Sequence, residues 1–563
     1  MGEKKTRTIV VGSGISGMSA ALSAVESGSN VTLVSRTIPA RSSSACIREG
    51  LNAGFGGDFA SHVSDTIESG FGLSERGAVE RMCADAPRIA ELLGSMGVLF
   101  DRTQGEGRVR VGRTCGSSHA RTIYSGRATG ARVLSALTGQ MLRHESHGRV
   151  RQYLGWEFLS LILDEGGRCC GVVAQDLKNM QVRAFPADAV ILCTGGFQAL
   201  FASHCSSELC DGFAAMRACE QGAKFANPEF VETFPFTVPT TDKCRAVVDA
   251  SLMEGDTVYI DRDGRPWHFL REFYPKECGC VVRSKAMRAV LKAREEIGSP
   301  GAEIKLDLSH VDPAVVEARL APMADIFDGV CEPGSIIAHV VPSVGLTLGG
   351  LWVDDAHATS MDGLFAAGNC SFAYHGAGSL AGNELLASIH GGMTAGAAAA
   401  NYAETVTGDA PASLLEKAVE DEDDLVARIS VIDGKERARE IDGELGQTMS
   451  ESVAAGKENE VLARAAGKIT ELMERAAKAP LMDRVEWANG ELFFTRTLGG
   501  KLKLARMVVD ASLAREESRG CHIRSAFPTQ DDVKWKATTL ATMGEGGITL
   551  DRSGGSRSTD DKE

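Results

Sequence analysis

The sequence predicts an α/β fold: a doubly wound domain built on a parallel sheet, an α+β capping domain inserted into it, and a helical C-terminal domain. Three observations lead to this prediction. A short β-branched run is followed by a glycine-rich turn and a helical segment at residues 8–27. Two later apolar runs, at residues 189–192 and 364–367, also end in glycine. Buried parallel strands have this short, continuous apolar character, and glycine follows them where the backbone approaches another group closely.

The composition excludes several classes of protein. The 563 residues include 60 basic and 75 acidic side chains, a formal net charge of −15. This charge disfavours nucleic acid and anionic membrane surfaces as partners, because both would be repelled. No apolar run reaches the ~18 residues that a membrane-spanning helix needs, so we expect no direct membrane span and a cytoplasmic protein.

The 15 cysteines lie singly or in irregular pairs and form no C-x2-C motif. Iron–sulfur clusters and structural zinc sites need tighter grouping. We therefore expect no metal site in this chain and mostly buried, unpaired thiols.

The most informative passage lies at the N-terminus. A strand at residues 8–11 is followed by Gly12, Gly14 and Gly17, then by a helix and a second strand at residues 30–34. In this context Gly12 allows the tight turn, Gly14 lets a pyrophosphate reach the backbone, and Gly17 lets the helix pack against the strand. The amides at the start of the helix then bind the phosphate charge. The passage therefore predicts a dinucleotide site.

The identity of the dinucleotide follows from two further features. The second strand normally ends in an acidic residue that binds the ribose, but here the position is Ser35, a weaker hydrogen-bonding partner. Arg36 beside it raises the possibility of a 2′-phosphate. The chain nevertheless returns three times to a strand followed by glycine, which suits FAD, a long ligand that touches several strand ends.

Changes in composition and periodicity divide the chain. We expect the FAD-binding domain at residues 1–235 and 341–405, the capping domain, which contacts substrate, at 236–340, and the helical domain at 406–546. Residues 547–563 are rich in Gly, Ser and Asp and are predicted to be a flexible tail.

Several motifs in this chain carry a family resemblance. They are P-A-R-S-S-S at residues 39–44 leading to G-L-N-A at 50–53, the segment 363–386, and E-S-R-G-C-H-I-R at 517–524. With these motifs the chain resembles the flavoprotein subunits of succinate dehydrogenase and fumarate reductase, with L-aspartate oxidase as a close relative. The likeness covers nearly the whole chain.

The resemblance implies a reaction and a partner. The reaction is hydride exchange between the flavin and one carbon of a C–C bond flanked by carboxylates, while a protein group moves a proton at the other carbon. Because the chain has no second nucleotide site and no cluster-like cysteine set, an iron–sulfur electron-transfer subunit is the expected partner. Such partner subunits could also bring the chain to a membrane.

The resemblance also implies the cofactor contacts. Ser43 stands where the family often has the histidine that bonds covalently to FAD, so we expect a non-covalent flavin. Asn369 replaces a glutamate, and the helix that begins near Ser379 is expected to direct its N-terminus at the flavin. The expected contacts are Gly12, Gly14, Ser16, Gly17, Ser35, Arg36, Ser42, Ser43, Ser44, Gly50, Thr194, Gly195, Asp211, Gly368, Asn369, Ser379, Leu380, Asn383 and Leu385.

The substrate residues depart from the family pattern. Two histidines and an arginine that bind substrate carboxylates are replaced by Phe234, Gly345 and Ser379, respectively. The fourth donor, an arginine that relays the proton, is predicted to be Arg283, with Lys285 as the alternative. His375 is retained from the family pattern and is the third candidate catalytic residue.

The losses predict an altered substrate. Removing three charge-assisted hydrogen bonds would cost several kcal/mol of binding, at about 1.5–3 kcal/mol each. We therefore expect a small carboxylate-type or activated-alkene substrate other than plain fumarate. Two alternatives stay open: a flavin electron-transfer subunit without its own catalysis, and an amino-acid oxidase of the aspartate-oxidase kind.

Overall fold

The computed structural model describes residues 6–55, 58–103, 105–126, 128–239, 246–247, 257–277, 281–312, 337–454 and 456–554. The helices, in chain order, are α1 (Ile15–Glu26), α2 (Phe59–Ser69), α3 (Arg76–Ser95), α4 (Thr129–Ser146), α5 (Phe213–Glu220), α6 (Phe269–Phe273), α7 (Arg283–Glu296), α8 (Asn383–Thr405), α9 (Ala412–Ser430), α10 (Ala438–Ser452), α11 (Asn459–Ala476), α12 (Gly490–Ala514) and α13 (Asp532–Trp535).

The strands, in chain order, are β1 (Arg7–Val11), β2 (Asn30–Ser35), β3 (Leu51–Asn52), β4 (Val111–Gly112), β5 (Thr122–Ile123), β6 (Val150–Leu154), β7 (Trp156–Leu163), β8 (Cys169–Asp176), β9 (Val182–Pro186), β10 (Ala189–Leu192), β11 (Phe225–Ala226), β12 (Val231–Val238), β13 (Ala246–Val247), β14 (Val258–Arg262), β15 (Arg265–Trp267), β16 (Ile304–Asp307), β17 (Ile337–Thr347), β18 (Gly350–Trp352), β19 (Leu364–Ala366), β20 (Ser371–Phe372), β21 (Ala537–Gly544) and β22 (Gly547–Gly554).

A five-stranded parallel sheet positions the site. Its strand order is β19-β10-β1-β2-β6, so the three glycine-terminated strands of the sequence lie side by side at its centre and one edge. Helices α1 and α8 pack closely beside it because Gly392 and Gly396 face the α1 backbone. A side chain at either glycine would overlap the carbonyl oxygen of Ser16 or Ala20. The predicted doubly wound α/β domain is therefore present.

The inserted segment forms its own layer. A six-stranded sheet of order β13-β12-β17-β16-β14-β15 packs with α6 and α7 around a hydrophobic cluster separate from the main one. Buried members of this cluster run from Phe236 to Val340, which supports the predicted capping domain. Strand β12 leads from the FAD-binding domain into this sheet, and β17 leads back.

The C-terminal part is mostly helical, as predicted, but its end differs from the prediction. Residues 547–554 form β22, which pairs with β21 along its whole length in an antiparallel hairpin. Gly547 follows the two-residue turn with φ +101, and Ile548 and Leu550 pack against the main core. The predicted flexible tail is therefore wrong for 547–554, while residues 555–563 lie outside the described residues.

A buried ionic network anchors this C-terminal part to the residues that precede β12. Arg515 pairs with Glu229 at 2.6 Å and with Glu517 at 2.8 Å, and Arg519 pairs with Glu517 at 2.7 Å, with all four side chains fully buried. Because removing one partner of such a pair leaves an uncompensated charge, the network fixes residue 229 and the strand β12 that follows it.

In the described part of the chain, no helix is both long and apolar enough to cross a membrane.

Candidate active site

A cleft of about 430 Å³ opens at the carboxyl ends of β1, β2, β10 and β19. Ligands of doubly wound domains bind at this edge of the sheet, because the glycine turns and helix N-termini meet there. The lining extends from Gly12 and Ser35 at one end to Phe234, Gly345 and Glu384 at the other. The cleft therefore joins the glycine turns of the sheet to the capping domain.

The first turn has the geometry that its glycines predict. Gly12 has φ +111, and a Cβ there would overlap the carbonyl oxygen of Cys193 on the neighbouring strand. A Cβ at Gly17 would overlap the carbonyl oxygen of Gly12, so α1 can approach the turn only without a side chain at this position. The amide of Ile15 at the start of α1 donates to Ser44 Oγ at 3.1 Å.

Most of the predicted cofactor contacts line this cleft. They are Gly12, Gly14, Ser16, Ser35, Arg36, Ser42, Ser43, Ser44, Thr194, Gly195, Asp211, Gly368 and Asn369. Ser42 Oγ, Arg48 Nη1 and Gln198 Oε1 also lie at the cleft, and each is buried without a hydrogen-bond partner among the described residues. Unpaired polar atoms beside glycine-lined backbone fit a long polar ligand such as FAD.

Six predicted contacts lie outside the lining: Gly17, Gly50, Ser379, Leu380, Asn383 and Leu385. The glycines serve close packing, since a Cβ at Gly50 would lie 2.6 Å from Thr122 Cγ2. Asn383 is held by Asn52 at 2.7 Å and by Thr66 at 2.9 Å, and the two leucines belong to the buried core. The structure places these residues as supports of the cleft, not on its surface.

The end of the cleft near β2 contains a buried ionic triad. Arg36 pairs with Glu157 and, at 3.0 Å, with Asp211, and its guanidinium stacks on Phe493. Burial alone would lower the pKa of Arg36, but the two carboxylates outweigh it and raise the pKa. Because Arg36 is already paired, a 2′-phosphate would have to displace its carboxylates, which supports the preference for FAD over NADP.

Ser43 occupies a compact polar niche. Its hydroxyl lies 2.8 Å from Ser206 Oγ and 3.0 Å from Cys210 Sγ, and it accepts a hydrogen bond from the Ser207 amide at 3.0 Å. A serine hydroxyl is a poor nucleophile without an adjacent base. The niche contains no base of that kind among these contacts.

The opposite end of the cleft is built around Arg283, the first residue of α7. Its guanidinium pairs with Glu384, with Glu49 at 2.6 Å and with Glu232 at 3.7 Å. It also donates to Ser379 Oγ at 2.9 Å. Glu49 and Glu384 line the cleft, whereas Arg283 itself is not part of the lining. One cation thus faces three carboxyl groups, which we call the Arg283 cluster.

Phe234 and Gly345 fill the space beside the cluster as a matched pair. The Phe234 ring lies under the Arg283 guanidinium, 3.9 Å from its centre. A Cβ at position 345 would overlap the same ring. The large residue on β12 is therefore accommodated by the absence of a side chain on β17. These two residues stand where the family resemblance implies histidines, so the lining is apolar at both positions.

The protonation states of the cluster follow from burial and pairing. Burial raises the pKa of Glu232. Burial would also raise the pKa of Glu384, but Arg283 outweighs it and the pKa lies below its usual value. The pKa of Arg283 is raised by its carboxylate neighbours despite burial. Arg283 therefore stays charged, and the Glu384 carboxylate beside it stays ionised.

The other two predicted catalytic residues lie elsewhere. Lys285 is partly exposed and pairs with Glu277 at 3.5 Å and with Glu68 at 4.0 Å. His375 is outside the cleft lining, and burial lowers its pKa, which keeps the imidazole neutral. Neither side chain is part of the cleft surface.

Sequence reasoning missed four charged residues of the site: Arg48, Glu49, Glu232 and Glu384. Each lies within or next to a motif that had been singled out for another residue, namely Gly50, Phe234 or Ser379. For the three glutamates, the available signal was an acidic residue beside a position where the family resemblance implies a cofactor-binding or substrate-binding group. Their pairing with Arg283 could not be derived from spacing.

Two family models match the chain. Residues 7–385 match that of the FAD binding domain, and residues 442–554 match that of the fumarate reductase flavoprotein C-terminal region.

Among the described residues, no group of three or more His, Cys, Asp or Glu side chains could hold a metal ion.

Curated relatives and solved structures agree with these matches. The chain is 38% identical over 546 residues to the succinate dehydrogenase flavoprotein subunit of Bacillus subtilis, covering 95% of this chain and 93% of that protein. It is 29% identical to the fumarate reductase flavoprotein subunit of Mycobacterium tuberculosis, covering 94% of each. A quinol fumarate reductase variant from Escherichia coli matches in fold, with a TM-score of 0.91 at 24% identity over 98% of this chain and 96% of that chain.

The Gly12 turn yields a direct test of the cleft. We expect Gly12→Ala to abolish FAD binding, because the added Cβ would overlap Cys193 in a backbone conformation that favours glycine. Gly28→Ala is the matched control, since Gly28 has φ +99 but no atom lies within 4 Å of its Cβ position. The ratio of flavin to protein absorbance in purified protein measures the difference. Equal FAD content in the two variants would contradict the assignment.

Proposed function

The chain belongs to the family of FAD-dependent flavoprotein subunits that includes those of succinate dehydrogenase and fumarate reductase, and from this premise we propose that its substrate is not fumarate or succinate. In this proposal the protein transfers hydride between FAD and a C–C or C=C bond of a small carboxylate-type or activated-alkene substrate. The Arg283 cluster is the observation that carries the proposal.

The cluster is poorly suited to a dicarboxylate. The guanidinium of Arg283 already donates to Glu49, Glu384 and Ser379, so a substrate carboxylate would have to displace one of them. Glu49 and Glu384 line the cleft and would repel a second negative charge in a medium of low dielectric constant. A substrate with at most one carboxylate avoids most of this cost.

The remaining substrate donors are also absent. At the positions of the two family histidines, the cleft presents Phe234 and Gly345. Ser379 replaces the family arginine, and its amide and hydroxyl both donate to Glu232, at 3.1 and 2.5 Å. Each charge-assisted hydrogen bond to a carboxylate contributes about 1.5–3 kcal/mol. Their replacement by apolar or already paired groups favours a substrate with an apolar face.

The chain's own residues can handle the proton at this site. FAD, when bound, supplies the hydride chemistry. Arg283 was the predicted proton relay, but it is paired with three carboxyl groups and does not line the cleft, so in this proposal it is a positioning residue. Glu49 and Glu384 reach the cleft surface, and Ser379 Oγ joins Glu384, at 3.1 Å, to the Glu232 carboxyl. This chain of groups can deliver or accept a proton at the substrate end.

We further propose an iron–sulfur electron-transfer subunit as the partner. The curated relatives are named as flavoprotein subunits, and a reaction that oxidises or reduces substrate through FAD needs a route for electrons. Co-purification of the untagged neighbouring polypeptides with this chain, followed by iron and acid-labile sulfide analysis, tests this part of the proposal.

Non-covalent FAD is a separate proposal with its own test. Because Ser43 stands at the position of the attachment histidine and its hydroxyl is held by Ser206 and Ser207, we expect acid precipitation to release all the flavin into the supernatant. Visible absorbance of the pellet and supernatant measures the outcome. Flavin fluorescence that stays with the precipitated chain on a denaturing gel would show a covalent bond.

The substrate proposal predicts slow turnover of fumarate. We expect fumarate to reoxidise the anaerobic, dithionite-reduced enzyme at least about 10²–10⁴-fold more slowly than a preferred unsaturated acceptor does, which is the factor for losing two of the three charge-assisted bonds. Stopped-flow absorbance of the flavin measures both rates. The acceptors compared with fumarate are α,β-unsaturated monocarboxylic acids, amides and enones. Reoxidation by fumarate at least as fast as by every other acceptor would refute the proposal, and no reoxidation by any acceptor would favour an electron-transfer role.

A further inference from the structure

Arg48 is a cation of the cleft that the proposed reaction does not use. It lines the cleft between Ser44, beside the start of α1, and Glu49, in the Arg283 cluster. Its Nη1 atom is buried and has no hydrogen-bond partner among the described residues. A buried guanidinium nitrogen without an acceptor is costly. The position therefore indicates a ligand that supplies the acceptor.

The other arginines at the cleft are already neutralised. Arg36 is held by Glu157 and Asp211, and Arg283 by three carboxyl groups. Arg48 makes no ion pair within the part of the chain that the structure describes. Its positive charge is thus available to whatever fills the cleft.

The N-terminus of α8 does not supply positive charge here. Sequence reasoning expected the positive end of this helix dipole to face the flavin. Instead, Glu384 in its first turn accepts from the Gly382 amide at 3.0 Å, and its pKa is lowered, so it is ionised. A carboxylate at this position cancels the partial positive charge of the helix terminus. Together with Glu49, it places two cleft-lining carboxyl groups beside the single positive charge of Arg283.

Reduced flavin needs the opposite charge. Hydride addition places negative charge on the pyrimidine part of the flavin ring, and nearby charges determine how readily this occurs. Beside two carboxylates in a partly dry cleft, that charge would be strongly disfavoured. A guanidinium at residue 48, next in the chain to Glu49, can offset it with two parallel donors.

We propose that Arg48 binds the pyrimidine edge of the flavin and stabilises its anionic reduced form, in place of the helix terminus that Glu384 neutralises. The inference rests on the proposed function, because it requires FAD in this cleft. It assigns Arg48 as a cofactor-binding residue. Glu384 then has the opposite effect, because its negative charge disfavours the anionic reduced flavin.

Sulfite binding to the oxidised holoprotein tests this directly. Sulfite adds through its sulfur lone pair to flavin N5, and the electron pair that it donates becomes negative charge on the same pyrimidine edge. We expect Arg48→Gln to weaken sulfite binding about tenfold or more, the factor for one lost charge-assisted bond. Arg48→Lys should retain most of the affinity, and Glu384→Gln should increase it. Arg41→Gln removes an exposed charge from the same segment and is the matched control.

The outcomes separate this inference from the proposed function. Purified wild-type protein that binds no FAD would defeat both. An Arg48→Gln protein that loads FAD and binds sulfite like the Arg41→Gln control would overturn the Arg48 assignment alone. So would weaker FAD binding with unchanged sulfite affinity, which would place Arg48 on the pyrophosphate.

A second measurement needs no variant. The absorption spectrum of fully reduced wild-type enzyme distinguishes an anionic from a neutral reduced flavin. We expect the anionic form to persist at pH values where free reduced FAD has become neutral, because a neighbouring cation lowers the pKa of the ring. A neutral reduced flavin in wild-type enzyme under those conditions would overturn the inference.

Discussion

The ion pairing of one arginine determines the character of the substrate end of this protein. Arg283 begins α7 and holds Glu49, Glu232 and Glu384, which come from a cofactor turn, a strand of the capping sheet and the first turn of α8. A cation at a helix N-terminus is unfavourable by itself, and the carboxyl groups offset that cost. The same contacts therefore join the FAD-binding and capping domains and, in the proposed function, occupy the charge that a dicarboxylate would need.

The two ends of the cleft are built differently. At the sheet, Gly12 and Gly17 keep the close packing that a dinucleotide site requires, and Arg36 is fixed by its own carboxylates. At the capping domain, the Phe234 ring fills the space that a side chain at Gly345 would need. Cofactor binding depends on backbone geometry, whereas substrate choice depends on a few side chains, so the second can change while the first stays.

Much of the cofactor half could be predicted from the sequence, because a strand, a glycine turn and a helix are local features. The loss of substrate donors, which the sequence suggests at Phe234, Gly345 and Ser379, stays a prediction. The pairing of Arg283 with Glu49 and Glu384 could not be predicted, because the partners lie 234 and 101 residues from Arg283 in the sequence. A single charged residue in a sequence is usually interpreted as solvent-exposed. The strand at residues 547–554 was hidden by a composition typical of flexible tails, although its alternating Ile548 and Leu550 were a usable signal.

The central claim is that the Arg283 cluster leaves no site for two carboxylates. Titration of the oxidised holoenzyme with malonate, a dicarboxylate that cannot react, tests this through the visible spectrum of the flavin. The account predicts no saturable spectral change up to millimolar malonate. A saturable change that disappears in Arg283→Lys would show that Arg283 exchanges its glutamate partners for the ligand, and would contradict the account.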